Sequence, residues 1–307
     1  MHSRLATFAA VAFCTLVPVG AVSATLPAAP TPAESFDVGM LHVDRYGSGS
    51  DAVILIPGLS CGAWSWNGVI PHLAAQHTVY ALTLAGFAGL PPQGDPSFAG
   101  FARDLTALLD ARHLARPALV GHSLGGTLAI AYAEDNARRL RSVVAVDGLP
   151  VFPGMHTLSQ AERTASADRI AATMQAQTPP QFAAYQRQYM MMVVSDPQLG
   201  AQVGDLAAKS DPATVTAWAR ADFAADFRPG LSRIDVPLTE ITGYSAIEGN
   251  PAAPVHYTQA EKETLYTALL AGTPHASVVV IPNARHFVML DQPDAFTAAL
   301  DAALTRS

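Results

Sequence analysis

The chain has 307 residues, half of them hydrophobic and only 14% charged, with a formal net charge of −7. That length and a mean hydropathy of +0.22 allow a large buried core, in one large domain or two small ones. No Lys/Arg cluster occurs anywhere, which argues against nucleic acid and against anionic membrane surfaces as partners.

The first residues read as a secretory signal. His2 and Arg4 give a short polar start, "LATFAAVAFCTLVPVGAV" an apolar core, and Val22-Ser23-Ala24 small residues suited to cleavage. The expected division is a signal peptide over 1–24 and one mature domain over 25–307. That domain would be exported to the periplasm or secreted, with no stable membrane anchor after cleavage. The apolar core is near the short end for a membrane span and contains Pro18 and Gly20. Cys14 leaves with the signal, so Cys61 becomes a lone thiol and neither a disulfide nor a metal framework is expected. No phosphate-cradling glycine loop and no His-His-acid zinc spacing occurs, so no cofactor or metal is implied.

Along the chain, "DVGMLHVDRYG" (37–47) suggests an antiparallel starter hairpin. Continuous apolar runs of strand length follow at 52–58, 78–84, 117–122, 141–148, 237–243 and 276–282. Runs apolar on both faces suit the central strands of a parallel sheet. Helical periodicity fills the gaps at 98–112, 124–140, 258–272 and 293–307. Strand–helix alternation predicts an α/β fold, a mostly parallel central sheet with helices on both faces. Residues 149–229 break the alternation and are helical in flavour. An insertion there would lie over the carboxyl ends of the strands, where open α/β sheets bind ligands, and is read as a lid.

Within "ALVGHSLGGTLAIAY" (118–132), Ser123 sits between Gly121 and Gly125 at a predicted strand-to-helix turn. The spacing G-x-S-x-G arises by chance in roughly one chain in ten of this length, so its surroundings must carry the argument. They do: the strand before, the helix after, Pro57-Gly58-Leu59 ending an earlier strand, and "IPNARHFVMLDQP" after the last strand. In combination the chain resembles the α/β-hydrolase superfamily from about residue 35 to 305. The resemblance implies a nucleophile elbow at Ser123, a histidine loop carrying His286, and an oxyanion-hole amide after Pro57-Gly58.

A serine hydroxyl needs an adjacent base, and His286 is on the strand-end rim that also bears Ser123. The backbone amides of Leu59 and Leu124 would form the oxyanion hole, the latter opening a helix whose positive end points the right way. The triad acid is where this sequence departs from the commonest family pattern. Most members place an Asp three residues after the Gly that ends the penultimate strand, and here that position is Ala246. Asp147, ending the strand after the nucleophile helix, is the preferred acid, because some members keep theirs there. Glu248 is the alternative. Haloalkane dehalogenases and epoxide hydrolases need Asp at the elbow tip, so Ser123 leaves acyl transfer.

The expected function is therefore a serine hydrolase, carboxylesterase-like, cleaving carboxylic esters of small or medium apolar acyl groups through an acyl-enzyme intermediate. The partner is a small-molecule ester substrate. Lactonase, amidase or peptidase and perhydrolase chemistry remain alternatives on the same triad. A non-catalytic binding protein on a hydrolase scaffold is the alternative from another class. Trp64 and Trp66 have two readings, acyl-pocket lining or packing of the helix that follows. Cys61 is read as a small buried hydrophobe near the site. The lid's Phe182, Tyr185, Tyr189, Met190, Met191, Met192 and Trp218 are read as lid core or as an adaptable apolar wall.

Overall fold

A computed structural model describes residues 24–250 and 256–306, so the expected signal peptide lies outside the described residues apart from Ala24. Its eight strands are β1 (Glu34–Val38), β2 (Leu41–Tyr46), β3 (Ala52–Ile56), β4 (Thr78–Leu84), β5 (Ala118–His122), β6 (Ser142–Val146), β7 (Leu238–Tyr244) and β8 (Ala276–Pro282). They form one sheet in the order β1-β2-β4-β3-β5-β6-β7-β8. Within it the β1–β2 and β2–β4 pairs are antiparallel and the remaining pairs parallel. Every residue of β3, β5 and β6 is buried, as continuous apolar runs in a doubly covered sheet require. The strand runs are where the sequence puts them, with ends moved by a residue or two.

The helices are α1 (Ile70–Ala74), α2 (Phe98–Ala111), α3 (Leu124–Asn136), α4 (Gln160–Gln175), α5 (Pro179–Val193), α6 (Pro197–Ala207), α7 (Pro212–Ala224), α8 (Gln259–Leu270), α9 (Val288–Asp291) and α10 (Pro293–Leu304). Two apolar clusters cover the sheet. One joins α2 and α3 to the strands through Phe101, Leu105, Leu128 and Ile130. The other joins α10 through Phe296 and Leu300 to Trp66 and Ile70.

Some boundaries differ from expectation. The helix expected over 124–140 gives way to a 3₁₀ turn at Ala137–Arg139. The final helix begins at Pro293 as expected, since Pro lacks the N–H that a helix interior needs and suits a first turn, but it ends at Leu304, short of the expected 307. The short α1 has no counterpart among the expected helices.

Between β6 and β7 the chain forms the predicted helical lid, closed at its base by an isolated bridge between Val151 and Asp226. α4 packs on α7, and α5 on α6. The Ser159 side chain caps the backbone of α4, and Asp196 and Asp211 do the same for α6 and α7. Thr178 opens α5 in a reciprocal contact with Gln181. No helix among the described residues is long and apolar enough to cross a membrane.

Candidate active site

β5 enters the sheet centre and turns directly into α3 at Ser123. The turn forces Ser123 to φ 53°, a left-handed conformation uncommon for residues other than glycine. The chain must also pass close to itself. A Cβ on Gly121 would lie 2.1 Å from the Gly125 carbonyl oxygen, and one on Gly125 2.4 Å from that of Ile56. Those two glycines are therefore steric requirements of the turn. The Ser123 N–H donates to the Val146 carbonyl at 2.9 Å, tying the elbow to the neighbouring strand.

Ser123 and His286 line one cavity of about 500 Å³ beneath the lid, together with Leu59. Gly58 lies against the elbow, since a Cβ there would meet Ser123 Cβ at 3.2 Å. Leu124 is the first residue of α3, so its N–H has no intrahelical acceptor. Both amides expected at the oxyanion position thus belong to segments touching Ser123.

The two candidate acids occupy different surroundings. Asp147 leaves the end of β6 with φ 49°, a second left-handed residue beside the first. Its Oδ2 accepts from His286 Nδ1 at 2.5 Å. Its Oδ1 accepts from the Thr242 hydroxyl at 2.5 Å and from the Tyr266 hydroxyl at 3.3 Å. Burial alone would raise the Asp147 carboxyl. The Lys262 charge and the bonds from His286 and Thr242 outweigh it, leaving the group below the ordinary carboxylate range. Glu248 points elsewhere, accepting from Lys262 Nζ at 2.6 Å and from the Ser245 N–H at 3.0 Å. With Nδ1 committed to Asp147, His286 keeps Nε2 for the cavity side.

His122, the residue before Ser123, has no role in the sequence reading beyond filling the elbow. Its Nε2–H donates to the His286 backbone carbonyl at 3.0 Å, so it holds the main chain at His286. Burial drives its ring down to about 3, which keeps it neutral.

The remaining candidates from the sequence divide between the cavity wall and the core. Tyr185, Tyr189 and Met190 line the cavity, as does Cys61. Cys61 is buried, and burial pushes its thiol up to about 12, so it is an inert wall group. Phe182 and Trp218 are lid core, while Met191 and Met192 are exposed. The acyl-pocket reading of Trp64 and Trp66 is corrected. Trp66 is fully buried against Phe296, and Trp64 stacks on Phe287.

Sequence reasoning missed Asp222, a lid carboxylic acid facing this cavity within reach of Thr127. An acid on a short helix carries no motif, and only the lid's docking shows which way it points. Burial pushes the Asp222 carboxyl up to about 7. A carboxyl raised in the folded state stabilises the protein while protonated. Stability is then lost as pH climbs from about 4, the unfolded value, to about 7. Asp222→Asn is expected to melt a few degrees above the parent at about pH 8 and level with it at about pH 4.5. Thermal melts at the two pH values check this.

A mostly parallel sheet carrying a strained serine at a strand–helix turn, with a histidine–carboxylate pair on the adjacent rim, defines the class of protein. The sequence profile of the alpha/beta hydrolase family matches residues 53–299, and the chain belongs to that family. Among characterised relatives, it is 32% identical over 115 residues to a pimeloyl-[acyl-carrier protein] methyl ester esterase of Aeromonas hydrophila. That match covers 36% of this chain and 43% of the relative. It is 34% identical over 116 residues to an N-formylmaleamate deformylase of Pseudomonas putida, covering 37% and 43% of the two chains. The matched segments thus span less than half the length of these relatives. Among solved structures, a bromoperoxidase from Bacillus anthracis superposes with TM-score 0.72 at 20% identity, over 89% of this chain and all of that one. An enol-lactonase from Burkholderia xenovorans gives 0.63 at 22% identity, over 86% and 96%. Among the described residues no cluster of three His, Cys, Asp or Glu side chains could hold a metal.

Proposed function

We propose that the protein is a serine hydrolase cleaving carboxylic esters of small or medium apolar acyl groups. The observation that carries this reading is the shared apolar cavity of Ser123 and His286, with the His286 ring bound through Nδ1 to Asp147. His286 Nε2 takes the Ser123 proton as the hydroxyl attacks the ester carbonyl. Asp147 holds the ring in that tautomer and supports the imidazolium. The Leu59 and Leu124 amides receive the oxyanion, a contribution of about 2.7–4 kcal/mol for one such donor. His286 then protonates the leaving alcohol. Water, deprotonated by the same ring, hydrolyses the acyl-Ser123 ester.

The acyl-size reading is supported by a cavity within the range of small-molecule sites, about 300–1,000 Å³, walled by Met155, Ile170, Met174, Met190 and Phe287. The relatives' names cover a methyl ester and a formyl amide. The leaving group is therefore the axis along which an amidase would differ.

The test is a fluorophosphonate probe followed by peptide mass spectrometry, with p-nitrophenyl esters from acetate to palmitate. Labelling is expected at Ser123 alone, with kcat/KM highest at short or medium chains. An unlabelled, inactive, folded protein would favour a binding role instead.

A further inference from the structure

Behind the Asp147–His286 pair lies a buried cation that the triad chemistry does not use. Lys262, on the inner face of α8, is 5% exposed. Its ammonium donates to the Gly243 carbonyl at 2.7 Å and to Glu248 Oε1 at 2.6 Å, and lies 3.8 Å from Asp147 Oδ1. A buried ammonium is costly unless paired, and two carboxylates share this one. The Asp147 oxygen that faces Lys262 also accepts from Thr242 and Tyr266, while the other accepts from His286. Donors on both oxygens fix the carboxylate's rotation. Glu248 therefore stands in the loop where most of the family keep their acid, yet it faces a lysine.

We propose that Lys262 is a positioning residue for the Asp147–His286 pair, with Glu248 as its counter-charge, and that together they set the pH above which His286 can accept the Ser123 proton. This rests on the serine-hydrolase reading above. The positive charge of Lys262 favours the Asp147 carboxylate but disfavours a proton on the neighbouring imidazole. Glu248 opposes it. The two charges act on the base in opposite directions, and a part that only braced α8 would not do so.

Other groups face the pair. From β5 comes His122, kept neutral by burial. Tyr189 of α5 and Tyr266 of α8 are both held protonated by burial. From β7 comes Glu240, fully buried, whose carboxyl is pushed upward by burial and by the Asp147 charge. Asp222 approaches from the lid. Arg285, beside His286, is committed to the carbonyls of Met192 and Val194 at 3.1 and 2.9 Å. Lys262 and Glu248 are the pair whose charges can be removed separately.

The experiment is the pH profile of kcat/KM for p-nitrophenyl butyrate with the full-length protein, whose acid limb reports loss of the free base. Lys262→Met is expected to move that limb up by about one pH unit, a tenfold loss of kcat/KM at a fixed pH below it. Glu248→Gln is expected to move it down by about half a unit, less because Glu248 is partly solvent-screened. The double variant should return to within a few tenths of the parent. Shifts in the same direction, or lower rates with an unmoved limb, overturn the proposal. If Lys262→Met does not fold, Glu248→Gln decides alone, and its limb must fall. Failure of the underlying reading looks different, since the parent would then lack Ser123 labelling altogether.

Discussion

Ser123→Ala is expected to lower kcat for p-nitrophenyl esters by about 10⁵–10⁶-fold and to abolish fluorophosphonate labelling. The loss is that of the covalent route, because the amides of Leu59 and Leu124 survive the substitution. The elbow is held by the Ser123 N–H bond to Val146 and by the glycines that flank it, neither of which needs the hydroxyl. Circular dichroism and melting should therefore match the parent. Ser123→Gly sharpens the test. It is expected to be as inactive as the alanine variant yet to melt higher, since glycine adopts φ 53° without the side-chain conflict. Label persisting on another serine in either variant would overturn the assignment.

The second large effect is expected at the carboxylate. Asp147→Asn should cost about 10⁴ in kcat, because an amide can face Nδ1 with its N–H and turn the ring to the wrong tautomer. The measurement is kcat on the plateau above the acid limb, where protonation of the base does not contribute. Glu248→Gln on the same plateau should cost less than about tenfold, since its contacts are to Lys262 and the Ser245 N–H and not to His286. An equal loss in both would show that Glu248 supports the ring after all. The double variant checks that neither residue replaces the other.

The strands of this protein were largely legible along the chain because the central ones are buried on both faces. "AVILI" and "SVVAV" are almost wholly apolar, and such runs state both their type and their place. Ser123 and His286 were legible for a different reason: each sits where a strand ends, so the order of elements placed them on one rim. The choice between Asp147 and Glu248 was not legible in the same way. Both leave strands on that rim, and what separates them is a lysine further along the chain, on the buried face of α8. Lys262 lies in "TQAEKETLYTALLAG", where it reads like any solvated helix charge. The lid's helix boundaries did carry a signal, in "SQAE", "TPPQ", "DPQL" and "DPAT", each a capping residue followed by Pro or a capping-box partner. Asp222 carried none, since which face of α7 meets the cavity follows from the lid's docking alone.

A carboxylate at the end of β6 also bears on the order in which the site can come into being. The strand–helix–strand unit β5–α3–β6 contains Ser123 and delivers Asp147 at its end, and its strands pair in register with Gly121 opposite Ala145 and His122 opposite Val146. Chain growth from the amino end therefore supplies Ser123 and Asp147 in consecutive elements, before the lid has been made. The proposed base comes last. His286 follows β8, with α9 and α10 after it. On the serine-hydrolase reading proposed above, a nascent chain would hold its serine and an ionisable partner well before its synthesis ends and still be chemically silent. Competence would arrive only when the final strand brings the imidazole across the finished sheet, by which point the cavity already has its roof.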